Sequence, residues 1–211
     1  MSATPDTATA PTGSAVAAFH EPARALPLDR TAEVIVCGGG PAGIAAALAA
    51  ARSGARTRLF EWHGSLGGVW TSGLLTWIFD FDQPGLCREL ARRLDQCSVR
   101  AVVRPSMFTY HPEDMRRLLE DLCESAGVQT LLHTRAVAAY REGRRLTTVV
   151  TESASGRQAW QAPVFIDCTG DGDLGAAAGC GWEFGRGDAE GTCQPMTLNA
   201  LVVVKDAAAL A

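Results

Sequence analysis

Ala32-Glu33-Val34-Ile35-Val36-Cys37, followed at once by Gly38-Gly39-Gly40-Pro41-Ala42-Gly43, is a strand-like apolar run entering a glycine turn. The residues after it, Pro41 to Arg52, form a helix-like run. The turn reads G-x-G-x-x-G, a pattern that carries meaning only between a strand and a helix. Gly38 permits the tight turn, Gly40 lets backbone approach a diphosphate, and Gly43 lets the helix lie close on its strand. Pro41 and Ala42 occupy the first helical positions, where free N–H groups and the positive end of the helix dipole favour an anion. The stretch therefore predicts a dinucleotide-binding β-α-β unit, with Ile44, Ala47, Leu48 and Ala51 facing the sheet at helical spacing.

The next strand-like run, Arg56-Thr57-Arg58-Leu59-Phe60-Glu61, ends in a carboxylate about 20 residues past the glycines, where such units hold a ribose by its hydroxyls. A carboxylate accepts hydroxyls and repels a 2′-phosphate. The expected dinucleotide is FAD or NAD rather than NADP.

Two further glycine stretches bear on that choice. Glu61 is followed by Gly67-Gly68-Val69-Trp70-Thr71, and Phe165-Ile166-Asp167-Cys168-Thr169-Gly170-Asp171-Gly172-Asp173-Leu174 comes later in the chain. Together with the first turn they resemble the FAD-dependent oxidoreductase family, in its glutathione-reductase-type and fumarate-reductase-like members. Smaller pieces agree: Glu21-Pro22-Ala23-Arg24, His111-Pro112-Glu113, Ala126-Gly127-Val128 and Gln194-Pro195-Met196-Thr197. The likeness runs from about Glu21 to Thr197, and Cys168 stands where the family usually has alanine.

The resemblance implies FAD, with Gly67 and Gly68 along the diphosphate and ribityl chain and the backbone of Thr169, Gly170 and Asp171 at the flavin. It implies a backbone contact to adenine from Ala136 or Val137. Asp173 is expected to cap a helix running through Ala178. Family members are longer than this chain, so Leu201-Val202-Val203-Val204 reads as a strand opening a second, incomplete domain over 199–211.

Between these anchors, helices are expected from about Pro84 to Cys97, with Leu86, Leu90 and Leu94 in line, and from Pro112 to Ala126, with Gly127 just past the end. Runs at Ala136–Tyr140, Leu146–Thr151 and Gln158–Ala162, split by turns at Gly143 and Gly156, predict a small antiparallel meander. Val164 to Cys168 reads as a buried parallel strand returning to the first sheet. The aromatic stretch Gly73 to Asp82 fits neither period. It is either a hydrophobic loop on the core or, by the resemblance, a wall beside the flavin. The expected fold is α/β, a Rossmann-like FAD-binding domain over 31–198 with a parallel sheet and the meander, after an unstructured tail over 1–30 rich in Ala, Thr, Pro and Ser.

Composition narrows the function classes. The 211 residues are 47% hydrophobic with a net charge of −4, enough for one substantial core and without the basic footprint of a nucleic-acid binder. No apolar run reaches the ~20 residues of a membrane span. The first 30 residues carry no secretion signal, and the seven cysteines form no C-x-x-C pair, so a cytoplasmic, thiol-reduced protein is expected. Cys37 and Cys168 read as small buried groups. His63, two residues past Glu61, reads as an exposed loop residue in preference to one that reaches the adenosine side of the site, His111 as a helix start and His133 as a strand residue. No spacing suggests a metal or an acyl nucleophile, and no residue is marked as catalytic. The expected activity is hydride transfer between a small organic substrate and bound flavin. The alternatives are an NAD-dependent dehydrogenase and a truncated FAD-binding module without turnover.

Overall fold

The computed structural model describes residue 18 and residues 20–79, 83–104, 107–187 and 191–206. Its centre is a parallel sheet ordered β11-β2-β3-β7, from β11 (Val164–Asp167), β2 (Val34–Cys37), β3 (Thr57–Phe60) and β7 (Gln129–Leu131). Every residue of β2 and β3 is buried, as strands covered on both faces must be.

The alternation of those strands divides the core in two. Val34, Val36 and Leu59 face α1 (Pro41–Arg52) and α3 (Pro112–Ser125), packing with Ile44, Leu48, Met115 and Leu119. Ile35, Cys37 and Phe60 face the other way, onto Val149 and Trp160 of an antiparallel meander. The meander comprises β8 (Arg135–Glu142), β9 (Arg145–Ser153) and β10 (Gly156–Gln161). Phe60 and Trp160 meet with ring centroids 5.0 Å apart, and Arg58 lies 4.4 Å over the Trp160 ring. The chain is thus layered as helices, parallel sheet and meander.

Helix starts follow their local chemistry. In α3 the His111 ring accepts from the Glu113 N–H at 3.3 Å, Pro112 takes the first helical position, and Gly127 beyond the end has φ +74°. Helix α2 (Leu86–Gln96) starts two residues later than Pro84 because Gly85, at φ 86° and ψ −139°, forms its non-helical N-cap.

Five expectations change. β11 joins the sheet in parallel, but as its edge strand with Val164 46% exposed rather than as a buried one. Leu28–Asp29 form a short strand, β1, parallel to β10, so pairing begins inside the segment read as tail; residues 1–17 and 19 of that tail lie outside the described residues. A three-stranded antiparallel sheet ordered β4-β6-β5, from β4 (Trp77–Phe79), β5 (Arg100–Arg104) and β6 (Met107–Tyr110), was not anticipated. It takes in part of the aromatic stretch, whose Asp80 to Asp82 lie outside the described residues. Leu201 to Val204 form no strand: no ladder partner meets them among the described residues, and Val202 and Val203 are exposed. His133 is no strand residue; at φ +50° it bends the chain between β7 and β8. Among the described residues no helix is long and apolar enough to cross a membrane, and no cluster of metal-ligating side chains occurs.

Candidate functional site

At the carboxyl ends of β2, β3 and β11, where open parallel sheets bind ligands, lies a cavity of about 290 Å³. Gly38, Gly40, Pro41, Ala42, Glu61, Gly68, Ala136, Thr169 and Gly170 line it. Three stretches far apart in sequence thus converge on one wall because their strands are neighbours in one sheet.

The glycines differ in what a side chain would meet. Gly38 has φ +102°, and a Cβ there would collide with the Cys168 carbonyl. A Cβ on Gly43 would run into the Gly38 carbonyl, so Gly43 sits beneath the cavity as the seat of α1 rather than in its wall. At Gly40 a Cβ would meet nothing within 4 Å: the backbone faces open cavity. Gly40 is also the N-cap of α1, no side chain caps that end, and no acid lies in the first turn. Unpaired N–H groups and the positive helix end therefore point at the space beside Gly40.

Glu61 is 5% exposed. Its Oε2 accepts from the Gly39 N–H at 2.6 Å; its Oε1 accepts from the His63 N–H at 2.7 Å and lies 2.8 Å from His63 Nδ1. The carboxylate thereby ties the β3 exit to the glycine turn and, with about four acceptor sites on its two oxygens, keeps capacity for a hydroxyl. The second turn is fastened as well, since the Gly67 N–H donates to the Gly39 carbonyl at 2.8 Å. Gly67 itself, at φ +103°, turns away from the cavity toward Thr71 and Leu119. Gly68 takes its place in the wall, next to Gly40.

The third stretch is held from below by Asp167. Its Oδ1 accepts from the Thr169 N–H at 3.0 Å and from the Thr169 hydroxyl at 2.7 Å, and its Oδ2 accepts from the Gly175 N–H at 2.8 Å. Burial opposes the charge, yet the Thr169 and Gly175 hydrogen bonds hold the carboxyl below the ordinary aspartate range. Asp173 is not the cap of α4 (Asp173–Ala177). Gly172 stands at the N-cap, and the Asp173 N–H donates to the Thr169 hydroxyl at 2.8 Å, so Thr169 and Asp167 satisfy the helix start. Asp171 is exposed and lies outside the cavity wall, whereas Asp173 is part of it.

Of the two positions read for the adenine contact, Ala136 lines the cavity and Val137 does not. The ladder between β8 and β9 shifts register from Ala136 to Ala138 and leaves Val137 unpaired and 38% exposed. His63, weighed for the adenosine side because it lies two residues past Glu61, lines the cavity, and so do Trp62, Thr134 and Arg135, which the sequence did not mark for it. Adjacency was the available signal: Trp62 and His63 follow Glu61, and Arg135 precedes Ala136. His63 is exposed, as expected of a loop histidine, and also contacts the buried acid. Cys37 is buried as expected, and burial pushes its thiol up to about 12; Cys168 is only half-buried, its thiol is raised by partial burial and the nearby Asp167, and both residues line the cavity.

An open backbone approach at an uncapped helix start, a buried carboxylate beside it and a second glycine turn against the first fit a dinucleotide diphosphate and its ribose. The family described as FAD dependent oxidoreductase matches residues 33–209. The chain belongs to that family. FAD is accordingly its cofactor, and the NAD alternative is not favoured. No match to the chain is found among curated proteins.

Solved structures share the fold. A geranylgeranyl bacteriochlorophyll reductase-like protein from Thermoplasma acidophilum is 17% identical over 71% of this chain and 42% of its own, with a TM-score of 0.54. The THI4 protein from Thermovibrio ammonificans is 20% identical over 69% of this chain and 60% of its own, with a TM-score of 0.52. The anhydrotetracycline hydroxylase OxyS from Streptomyces rimosus is 17% identical over 70% of this chain and 33% of its own, with a TM-score of 0.57. The chain thus spans less than two thirds of each of these proteins.

Proposed function

We propose that this chain binds FAD in extended form across the carboxyl ends of its parallel sheet and acts in hydride exchange between a small organic molecule and the flavin. The observation that carries the reading is the single cavity onto which Gly40, Glu61, Gly68, Ala136 and Thr169-Gly170 converge. Family membership supports it.

Each residue has a separable task. Gly40 and the first turn of α1 receive the diphosphate through backbone N–H groups, which a side chain at position 40 would block. Glu61 accepts ribose hydroxyls, and the Ala136 backbone lies against the adenine. Gly68, Thr169 and Gly170 continue the wall toward the ring end, where Asp167 fixes the turn. Bound flavin supplies the two-electron chemistry; the protein positions it and keeps water off its adenosine half. The seven free cysteines support a reducing compartment, in keeping with the cytoplasm.

The test is to purify the protein without added cofactor, release its bound small molecule by denaturation, and identify it by mass. FAD is expected. Recovered NAD would return the dehydrogenase reading to first place.

A further inference from the structure

Three side chains that no glycine motif includes meet at the cavity's mouth. Arg135, the first residue of β8, lies with its guanidinium carbon 4.3 Å above the Trp62 ring. Its Nη2 lies 3.8 Å from Asp173 Oδ2 at the start of α4. All three line the cavity. They come from separate parts of the chain: the exit of β3, the start of β8 and the start of α4. Contacts from Trp62 through Arg135 to Asp173 therefore join the Glu61 side of the opening to the Thr169-Gly170 side.

The bases of this span are fixed while its tips are exposed. The Glu61 N–H donates to the Leu131 carbonyl, the Thr134 N–H to the Glu61 carbonyl and the His133 N–H to the His63 carbonyl, which zips the backbone carrying Trp62 to the backbone carrying Arg135. Trp62 is 57% exposed, and the side chains of Arg135 and Asp173 are 49% and 45% exposed. Exposed cation–π and ion pairs are individually weak, so the span can part without disturbing the fold. Among the described residues Arg135 is also the sole Lys or Arg in the cavity wall, which it shares with the acids Glu61 and Asp173.

We propose that Trp62, Arg135 and Asp173 form a latch that closes over the adenosine half of FAD and slows its escape, resting on the FAD reading above. Trp62 directly follows the ribose-binding Glu61 and Arg135 directly precedes Ala136 at the adenine, which sets their contact at the adenosine end, with Asp173 anchoring it from the far side of the opening. Opening separates Arg135 from Asp173 and lets the cofactor pass; closing restores the contact behind it. The latch therefore acts on dissociation more than on association. It also favours FAD over FMN, which has no adenosine to retain.

The test is stopped-flow measurement of FAD and FMN association and dissociation on the full chain, for the wild type, Trp62→Ala, Arg135→Ala, Arg135→Lys and Asp173→Asn. Melting curves check that each variant is folded. Trp62→Ala and Arg135→Ala are expected to raise the FAD dissociation rate about five- to tenfold, with FMN release unchanged and Arg135→Lys falling between. Added salt should speed FAD release from the wild type more than from Asp173→Asn, because the exposed ion pair is screened. Unchanged FAD dissociation in the folded Trp62 and Arg135 variants overturns the latch. So does slower association of Arg135→Ala at constant dissociation, which would make Arg135 a steering charge. A folded wild type that binds no FAD overturns the reading beneath the latch, a distinct result.

Discussion

Glu61 ties the glycine turn to the β3 exit and is the residue proposed to accept the ribose hydroxyls, so its substitution should report on both roles. Glu61→Ala removes a charge-assisted acceptor, which corresponds to ~1.5–3 kcal/mol or about ten- to a hundredfold weaker FAD binding. It also orphans the Gly39 and His63 N–H groups, at a stability cost of ~1–3 kcal/mol. Titration of the apo-protein together with a urea melt separates the two effects, and an unchanged dissociation constant would remove Glu61 from the site. Gly40→Val tests the diphosphate position differently. A Cβ at Gly40 touches no protein atom within 4 Å, and its φ of −71° is open to any residue, so the variant should fold. It should lose FAD, because the branched side chain fills the space of approach; a folded variant with normal flavin content would sink the diphosphate assignment. These residues were legible because a glycine turn between strand and helix and a strand-end carboxylate are local signals. Trp62 and Arg135 were not, because their meeting depends on the β3 exit pairing with the β7–β8 connection, which sequence spacing does not encode.

At the scale of elements, Asp167 joins β11, the Thr169 turn and α4 in one small network. Asp167→Ala should cost ~0.5–2 kcal/mol, the range for losing a helix cap. Because hydrogen bonds hold its folded-state pKa below the ordinary value, its contribution is present above the unfolded pKa near 3.9 and fades as pH falls through the folded value. The stability gap between wild type and variant should thus be constant at neutral pH and close below about pH 4 in pH-dependent urea melts. A gap that persists in acid would show that the carboxylate's charge is not what matters. Helix α1 matched its sequence reading from Pro41 to Arg52, since a proline start, an apolar stripe and a glycine turn all agree. The sheet of β4, β5 and β6 was missed for the opposite reason. Its strands are short, Trp77 and Phe79 remain exposed while Ile78 is buried, and the pairing of β4 with β6 spans a whole helix. Apolar runs that small carry no decisive period.

Across the whole molecule, the meander and the parallel sheet are joined through Trp160, which is 3% exposed. It packs on Phe60, lies under Arg58 and donates from Nε1 to the Thr151 hydroxyl at 2.7 Å. Trp160→Ala should destabilise by ~3–5 kcal/mol, the range for deleting a large buried aromatic, read as a lowered denaturant midpoint. A loss under ~1 kcal/mol would mean that the two layers are joined elsewhere. The layered α/β plan was readable from the order of strand, glycine turn, helix and strand. The exposed course of Leu201 to Val204 was not, because an apolar run becomes a strand only where a partner edge meets it. In the proposed function one cavity, formed where three strands end, binds FAD through the Gly40 turn and Glu61. Equilibrium titration of folded apo-protein with FAD, in parallel for wild type and Gly40→Val, tests that claim most directly. Saturable one-to-one binding by the wild type, lost in the folded Gly40→Val variant, is the predicted result; no FAD binding by the folded wild type, or equal binding by both, would contradict it.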